Sequence, residues 1–113
     1  MLRLVTIALV CAASSAAIAS DPIVGSWRTE TGSTAAVSQC GGSFCITLRS
    51  GQHAGKRIGS VAPAGAGKYS GTIIDPANDK SYSGSATLSG RSLRMSGCVL
   101  GGLICRSQTW SRL

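Results

Sequence analysis

The chain has 113 residues and a formal net charge of +7, with eleven lysines and arginines against four acidic residues. A chain of this length forms one small domain and argues against a multidomain enzyme. Its 15 glycines and low aromatic content of 4% leave material for only a modest hydrophobic core. The excess of positive charge favours anionic partners.

The first nineteen residues are expected to be a cleavable signal peptide. Arg3 supplies a positive start, residues 4–10 form an apolar core, and small residues continue to Ala19. The apolar stretch is shorter than the roughly 20 residues that cross a bilayer. Cleavage after Ala19 removes Arg3 and leaves residues 20–113 as a single domain of net charge +6 without a membrane span. We therefore predict a periplasmic or secreted protein.

Four cysteines remain in residues 20–113, and an even number in a short exported chain indicates disulfides. The close spacings favour two local pairs, Cys40 with Cys45 and Cys98 with Cys105, although long-range pairing stays open. Loop entropy predicts about 2 kcal/mol of stabilisation from each local bridge. A zinc site is the competing interpretation, but neither pair has the short spacing of a zinc knuckle.

Short stretches of β-forming residues recur between breaks rich in glycine or proline, and no segment keeps a helical period. We expect an all-β domain, a small antiparallel meander closed into a barrel, because tight turns join consecutive strands and closure removes exposed edges. Closure would make the strands of Trp27 and Trp110 neighbours, so that the two rings either plug one end together or lie separately in the core. Seven or eight strands are expected, with segments at 25–30, 34–40, 44–49, 58–61, 69–75, 81–88, 92–98 and 104–112.

Two connections have contrasting sequences. Residues 51–68 are rich in glycine and alanine, so one short strand at 58–61 is expected there between two flexible loops. Residues 75–80 are typical of a turn, because Asp75 can accept a backbone hydrogen bond and Pro76 presets the turn dihedral.

Four blocks of the sequence stand out in order: Gly25-Ser26-Trp27; Cys40 to Cys45; Gly71 to Pro76 with Lys80-Ser81-Tyr82; and Gly97-Cys98 with Cys105 to Trp110. Together they resemble the domain-of-unknown-function family 2147 (DUF2147), small exported bacterial proteins. The resemblance implies a compact lipocalin-like barrel with no established activity. Gly25 and Trp27, with Arg112, also look like the lipocalin closure signature, in which a basic side chain packs over the tryptophan. The chain departs from the family pattern in the short stretch 50–55, where a longer insertion is usual, and at Tyr69, where tryptophan is expected.

No recognisable catalytic arrangement is present in residues 20–113. His53 is the only histidine and lies in a glycine-rich loop, which favours an exposed position over a catalytic triad. Asp75 and Asp79 flank a turn with too few neighbouring oxygen ligands for calcium. We therefore expect a protein that is not an enzyme and that carries no cofactor or metal.

The expected function is binding, in one of two forms. A lipocalin-like barrel would hold a small apolar ligand, provided that its own side chains do not fill it. Alternatively, an interaction, inhibitor or envelope-associated module would bind an acidic protein or an envelope polyanion through a basic surface. Nucleic acid is not an expected partner, because the few aromatic residues are easier to place in the core, and the domain is expected to be monomeric. The candidate partner contacts are His53, Lys56, Arg57 and Lys68. The basic residues either form one basic face or belong to an ordinary solvated surface, and they are Lys56, Arg57 and Lys68 with Arg91, Arg94, Arg106 and Arg112 on later strands.

Overall fold

A computed structural model describes residues 21–113, so the predicted signal peptide lies outside the described residues. Eight strands form an antiparallel meander in which each strand pairs with the next and the first pairs with the last. The predicted all-β barrel is confirmed, as are the two local disulfides. The strands are β1 (Gly25–Arg28), β2 (Thr34–Cys40), β3 (Ser43–Leu48), β4 (Arg57–Gly65), β5 (Lys68–Ile74), β6 (Ser81–Ser89), β7 (Ser92–Val99) and β8 (Ile104–Arg112).

Side chains at alternating positions of the strands form the hydrophobic core inside the barrel. In β3, for example, Phe44, Ile46 and Leu48 are buried on one face of the strand. Phe44 meets Tyr69 of β5 edge to face, with ring centroids 5.9 Å apart. The core consists of Ile23, Trp27, Ala35, Val37, Phe44, Ile46, Leu48, Ile58, Val61, Tyr69, Ala86, Leu93, Met95 and Trp110.

The stretch 51–68 is more ordered than its composition predicts. β4 runs from Arg57 to Gly65, so the short strand expected at 58–61 was wrong in length. Pairing with β5 continues as far as Gly65, with a register shift after Pro63, whereas pairing with β3 ends at Val61. Pro63 therefore lies on an edge, where a missing N–H is tolerated. Non-local pairing, and not local β propensity, decides the length of this strand.

The meander places its connections at two opposite ends of the barrel. The end with the tight turns after β2, β4 and β6 is called the closed end below. The other end, called the open end, carries the longer connections 29–33, 49–56, 75–80 and 100–103. The Cys40–Cys45 disulfide lies at the closed end and Cys98–Cys105 at the open end.

Candidate functional site

The segment before β1 covers the closed end of the barrel. Ile23 is fully buried in the core, and its N–H donates to Asp21 Oδ1 at 3.0 Å. The same carboxylate oxygen accepts the hydroxyl of Tyr69 at 2.5 Å. Burial, then this hydrogen bond and the negative charge of Asp21, raise the pKa of Tyr69 to about 12. The phenol therefore stays protonated and fastens the segment to β5.

Arg112, near the end of β8, completes this closure. Its guanidinium lies 4.1 Å from the centroid of the Trp27 ring. Nη1 donates to the carbonyl of Val24 at 3.2 Å, and Nη2 donates to the carbonyl of Pro22. Trp27 is fully buried and donates from Nε1 to the carbonyl of Ile23 at 3.0 Å. The basic side chain and the indole thus hold the same short segment from two sides, in the arrangement that the closure signature describes.

Gly25 is required by this packing. Its φ is +140°, a conformation that side chains rarely adopt, and a Cβ there would lie 2.9 Å from Arg112 Nη1. Glycine therefore lets the guanidinium cross the backbone on its way to Val24 and Pro22.

The open end of the barrel is a cup of about 920 Å³. Its floor combines Met95 and Trp110 with apolar side chains from the neighbouring strands, including Leu48 and Ile58. Trp110 donates from Nε1 to Gln108 Oε1 at 3.1 Å. The barrel is therefore filled near its closed end and hollow towards its open end. The lining consists of Thr29, Thr31, Ser33, Leu48, Ser50, Gln52, His53, Ile58, Ile73, Ile74, Asp75, Pro76, Tyr82, Met95, Ser96, Gly97, Val99, Ile104, Arg106, Gln108 and Trp110.

A row of paired glycines shapes one wall of the cup. Gly71, Gly84 and Gly97 are direct partners across β5, β6 and β7, and Gly97 pairs with Arg106 of β8. A Cβ at Gly84 would lie 2.3 Å from Cγ1 of Ile73, so this glycine makes room for a cup-lining side chain. A Cβ at Gly97 would meet nothing closer than 3.7 Å, which leaves free space above it in the cup.

The pairing between β1 and β8, called the seam below, is short. The wall of the cup is therefore shorter on this side of the barrel. The seam contains two register pairs, Trp27 with Arg112 and Arg28 with Ser111, although β8 is nine residues long. Beyond the seam, Glu30 Oε1 accepts the backbone N–H of Thr109 at 2.8 Å. The Glu30 side chain thus supplies the hydrogen-bond acceptor that a longer β1 would otherwise provide. As a result the next residues of β8 towards the open end are exposed to solvent, although Arg106 and Gln108 also line the cup.

The four predicted partner contacts do not lie together. His53 lines the cup, and Arg57 begins β4 at the open end. Lys56, also at the open end, donates to the carbonyl of Pro76 at 3.0 Å and lies 3.5 Å from Asp79 Oδ1. Lys68 begins β5 at the closed end. The structure thus brings three of the four to one end, and their role as partner contacts stays a prediction.

The arginines of the later strands do not form the single basic face that is one of the two expectations from the sequence. Arg106 lines the cup, whereas Arg112 lies over Trp27 at the closed end. Arg91 donates to the carbonyl of Arg112, also near the closed end, and Arg94 is exposed on β7. The expectation failed because strand alternation and register, which a single sequence does not specify, assign each side chain to a face.

The connection 75–80 contains the turn that its residues predict. Asp75 Oδ1 accepts the N–H of Ala77 at 2.9 Å, and the Asp75 carbonyl accepts the N–H of Asp79 at 2.8 Å. Asp75 and Pro76 both line the cup, so this turn forms part of its mouth.

Two further observations on residues 21–113 concern metal sites and membrane-spanning helices. No group of three or more histidine, cysteine or acidic side chains is placed to hold a metal ion there. In the same part of the chain no helix has the length and apolarity needed to cross a bilayer.

Comparison with protein families places the sequence in a bacterial group. The family model described as an uncharacterized protein conserved in bacteria (DUF2147) matches residues 47–112, more than half of the chain. The chain belongs to the DUF2147 family. The match takes in β4 to β8, with the glycine row, the Cys98–Cys105 bridge and Arg112. No curated protein and no solved structure matches the chain.

The two disulfides indicate the kind of compartment in which this DUF2147 protein is found. The family is bacterial, and disulfides of this kind are typical of an oxidising, non-cytoplasmic compartment. The matched region also contains Gln108, which the sequence analysis did not assign to a site, and Arg106, which it assigned to a basic face and not to a cup wall. Only the register of β7 with β8 shows that these side chains face the cup.

Proposed function

We propose that this protein is a periplasmic or secreted, non-enzymatic binding protein whose cup takes one small apolar or amphiphilic molecule. The observation that carries the proposal is the cup of about 920 Å³ at the open end. Ligand sites commonly have volumes of about 300–1,000 Å³, so the cup is large enough for such a molecule. A barrel filled by its own side chains would have argued against this function.

The distribution of polarity in the cup supports an amphiphile. Met95 and Trp110 at the floor are at most 5% exposed, whereas His53, Arg106 and Gln108 stand nearer to solvent. A ligand would bury its apolar part on the floor, where each buried CH₂ group contributes about 0.8 kcal/mol. Its polar part would remain at the mouth among side chains that donate hydrogen bonds.

The two tryptophans supply an internal test. Trp110 lines the cup, whereas Trp27 is fully buried under Arg112 at the closed end. Titration of the oxidised protein with the fluorescent apolar amine N-phenyl-1-naphthylamine should quench Trp110 through energy transfer and raise the emission of the probe. Dodecanoate should then displace the probe.

Variants separate cup binding from adsorption to the surface. Trp110→Phe changes the cup lining and should weaken binding of the probe, whereas Trp27→Phe changes a side chain outside the lining and should retain it. Displacement by dodecanoate provides a second measurement if the Trp27 variant folds poorly. Absence of saturable binding by the wild-type protein, or an equal loss of probe affinity in both folded variants, would contradict the proposal.

A further inference from the structure

The connection between β7 and β8 forms an apolar projection at the open end, called the rim tip below (residues 99–104). Leu103 is 84% exposed and Ile104 is 54% exposed. The glycines between the two strands, Gly101 and Gly102, both have positive φ and turn the chain back. The Cys98–Cys105 disulfide closes the base of the projection, where the two Cα atoms are 4.1 Å apart.

This exposure is concentrated in one place. Single exposed apolar side chains are normal, but adjacent ones on a projection mark a contact surface. In the described part of the chain the remaining exposed large apolar residue is Leu113, at 51%, which follows Arg112 at the closed end. The rim tip is also covalently stapled, so little conformational entropy would be lost when it docks.

Basic residues outnumber acidic ones at the open end, which carries the rim tip. Lys80 precedes β6 on one side and Arg106 lies two residues after Ile104 on the other. Together with the rest of the open end, six basic side chains oppose three acidic ones in this half of the barrel. The basic residues are Arg28, Arg49, Lys56, Arg57, Lys80 and Arg106, and the acidic ones are Glu30, Asp75 and Asp79.

We propose that the rim tip is a docking element for the surface of an anionic lipid bilayer. Leu103 and Ile104 would enter the boundary between headgroups and acyl chains, while Lys80 and Arg106 remain at the level of the anionic headgroups. The complementarity of charge favours a bilayer over a second copy of this cationic chain, which electrostatic repulsion would disfavour. Leu103 is not part of the cup lining, so docking can be tested apart from what the cup holds.

The position of the rim tip also determines how the protein would face the bilayer. Ile104 and Val99 both line the cup as well as belonging to the projection. Docking through the rim tip therefore turns the mouth of the cup towards the lipid, with the closed end and its Trp27–Arg112 packing pointing away.

Vesicle sedimentation tests this surface directly. The oxidised protein should bind vesicles of phosphatidylethanolamine and phosphatidylglycerol, and should bind phosphatidylcholine vesicles at least roughly tenfold more weakly. The double substitution Leu103→Ser/Ile104→Ser should reduce binding to the anionic vesicles by roughly tenfold or more. Leu113→Ser removes an exposed leucine from the opposite end and should change binding by less than about twofold.

Two variants that each remove one positive charge test the electrostatic part of the proposal. Arg106→Gln at the open end should weaken vesicle binding more than Arg94→Gln, which removes the same charge from an exposed site near the closed end. Absence of binding to anionic vesicles, or unchanged binding of the double serine variant, would overturn the proposal. Self-association that the double serine variant abolishes, without vesicle binding, would assign the rim tip to a second copy and would also overturn it. Binding of N-phenyl-1-naphthylamine by the single variant Leu103→Ser, which changes a rim-tip side chain outside the cup lining, would show that the cup function survives either outcome.

Discussion

The guanidinium of Arg112 lies 4.1 Å from the centre of the Trp27 ring, although the two residues stand near opposite ends of the described chain. They are also direct register partners across the seam between β1 and β8. Because that seam contains only two register pairs, side-chain packing carries much of the closure. The stability of the barrel should therefore depend strongly on the packing of Arg112 against Trp27.

Replacement of Arg112 should destabilise the protein. Arg112→Ala removes the contact with the indole and the donors to Val24 and Pro22, and should cost about 2 kcal/mol or more in the free energy of unfolding. Arg112→Lys should recover part of this loss. Urea denaturation measures the change, with Arg94→Ala as the control on an exposed part of β7. Equal effects of the two alanine variants would contradict the closure role.

Gly25→Ala should also destabilise the protein, by about 1–3 kcal/mol, because of its positive φ and because the added methyl group would press on Arg112. Gly42→Ala is the matched control, since Gly42 has no positive φ and its added Cβ meets nothing within 4 Å. If the contact with Arg112 matters, the double variant Gly25→Ala/Arg112→Ala should lose less than the sum of the single changes. Strict additivity would assign the effect to backbone strain alone.

The raised pKa of Tyr69 predicts a specific alkaline transition. The pKa is about 12 in the folded state, against about 10 for an exposed tyrosine. The stabilisation linked to the protonated phenol is therefore complete below pH 10 and is lost as the pH rises towards 12. Over that range the wild-type protein should lose about 2 kcal/mol relative to Tyr69→Phe. Denaturation curves at several pH values measure the difference, and parallel curves for the two proteins would contradict the prediction.

The two disulfides should contribute similarly to stability and differently to docking. Their sequence separations are 5 and 7, so loop entropy predicts about 2 kcal/mol for each. Cys98→Ser/Cys105→Ser should also weaken vesicle binding, because it frees the base of the rim tip. Cys40→Ser/Cys45→Ser, at the closed end, should leave vesicle binding unchanged in the folded protein. Equal vesicle binding by both variants would show that the staple does not support docking.

Much of the fold follows from local patterns. β2 and β8 have the bounds that their sequences predict, because β-forming segments there are bordered by turn residues. The local cysteine spacings likewise predicted both disulfides. In each case the deciding interactions lie within one strand or one hairpin, so a single sequence contains them.

The cup could not be predicted in the same way. Gly71, Gly84 and Gly97 look like isolated strand glycines in the sequence, and only the register of three strands places them side by side. Arg106 likewise faces the cup because of its pairing with Gly97. The interior volume of a small barrel depends on such non-local pairing, which explains why the sequence left open whether the barrel was filled.

The measurement that tests the central claim most directly is the affinity of a Gly97→Leu variant for N-phenyl-1-naphthylamine. A Cβ at Gly97 makes ordinary contacts of 3.7–4.0 Å with Tyr82 and Ile73, so the leucine fits the fold and extends into the cup. Gly42→Leu adds the same side chain outside the cup as a control. The account predicts that Gly97→Leu binds the probe at least roughly tenfold more weakly, while Gly42→Leu binds like the wild-type protein. Wild-type affinity in a folded Gly97→Leu variant would contradict binding in the cup.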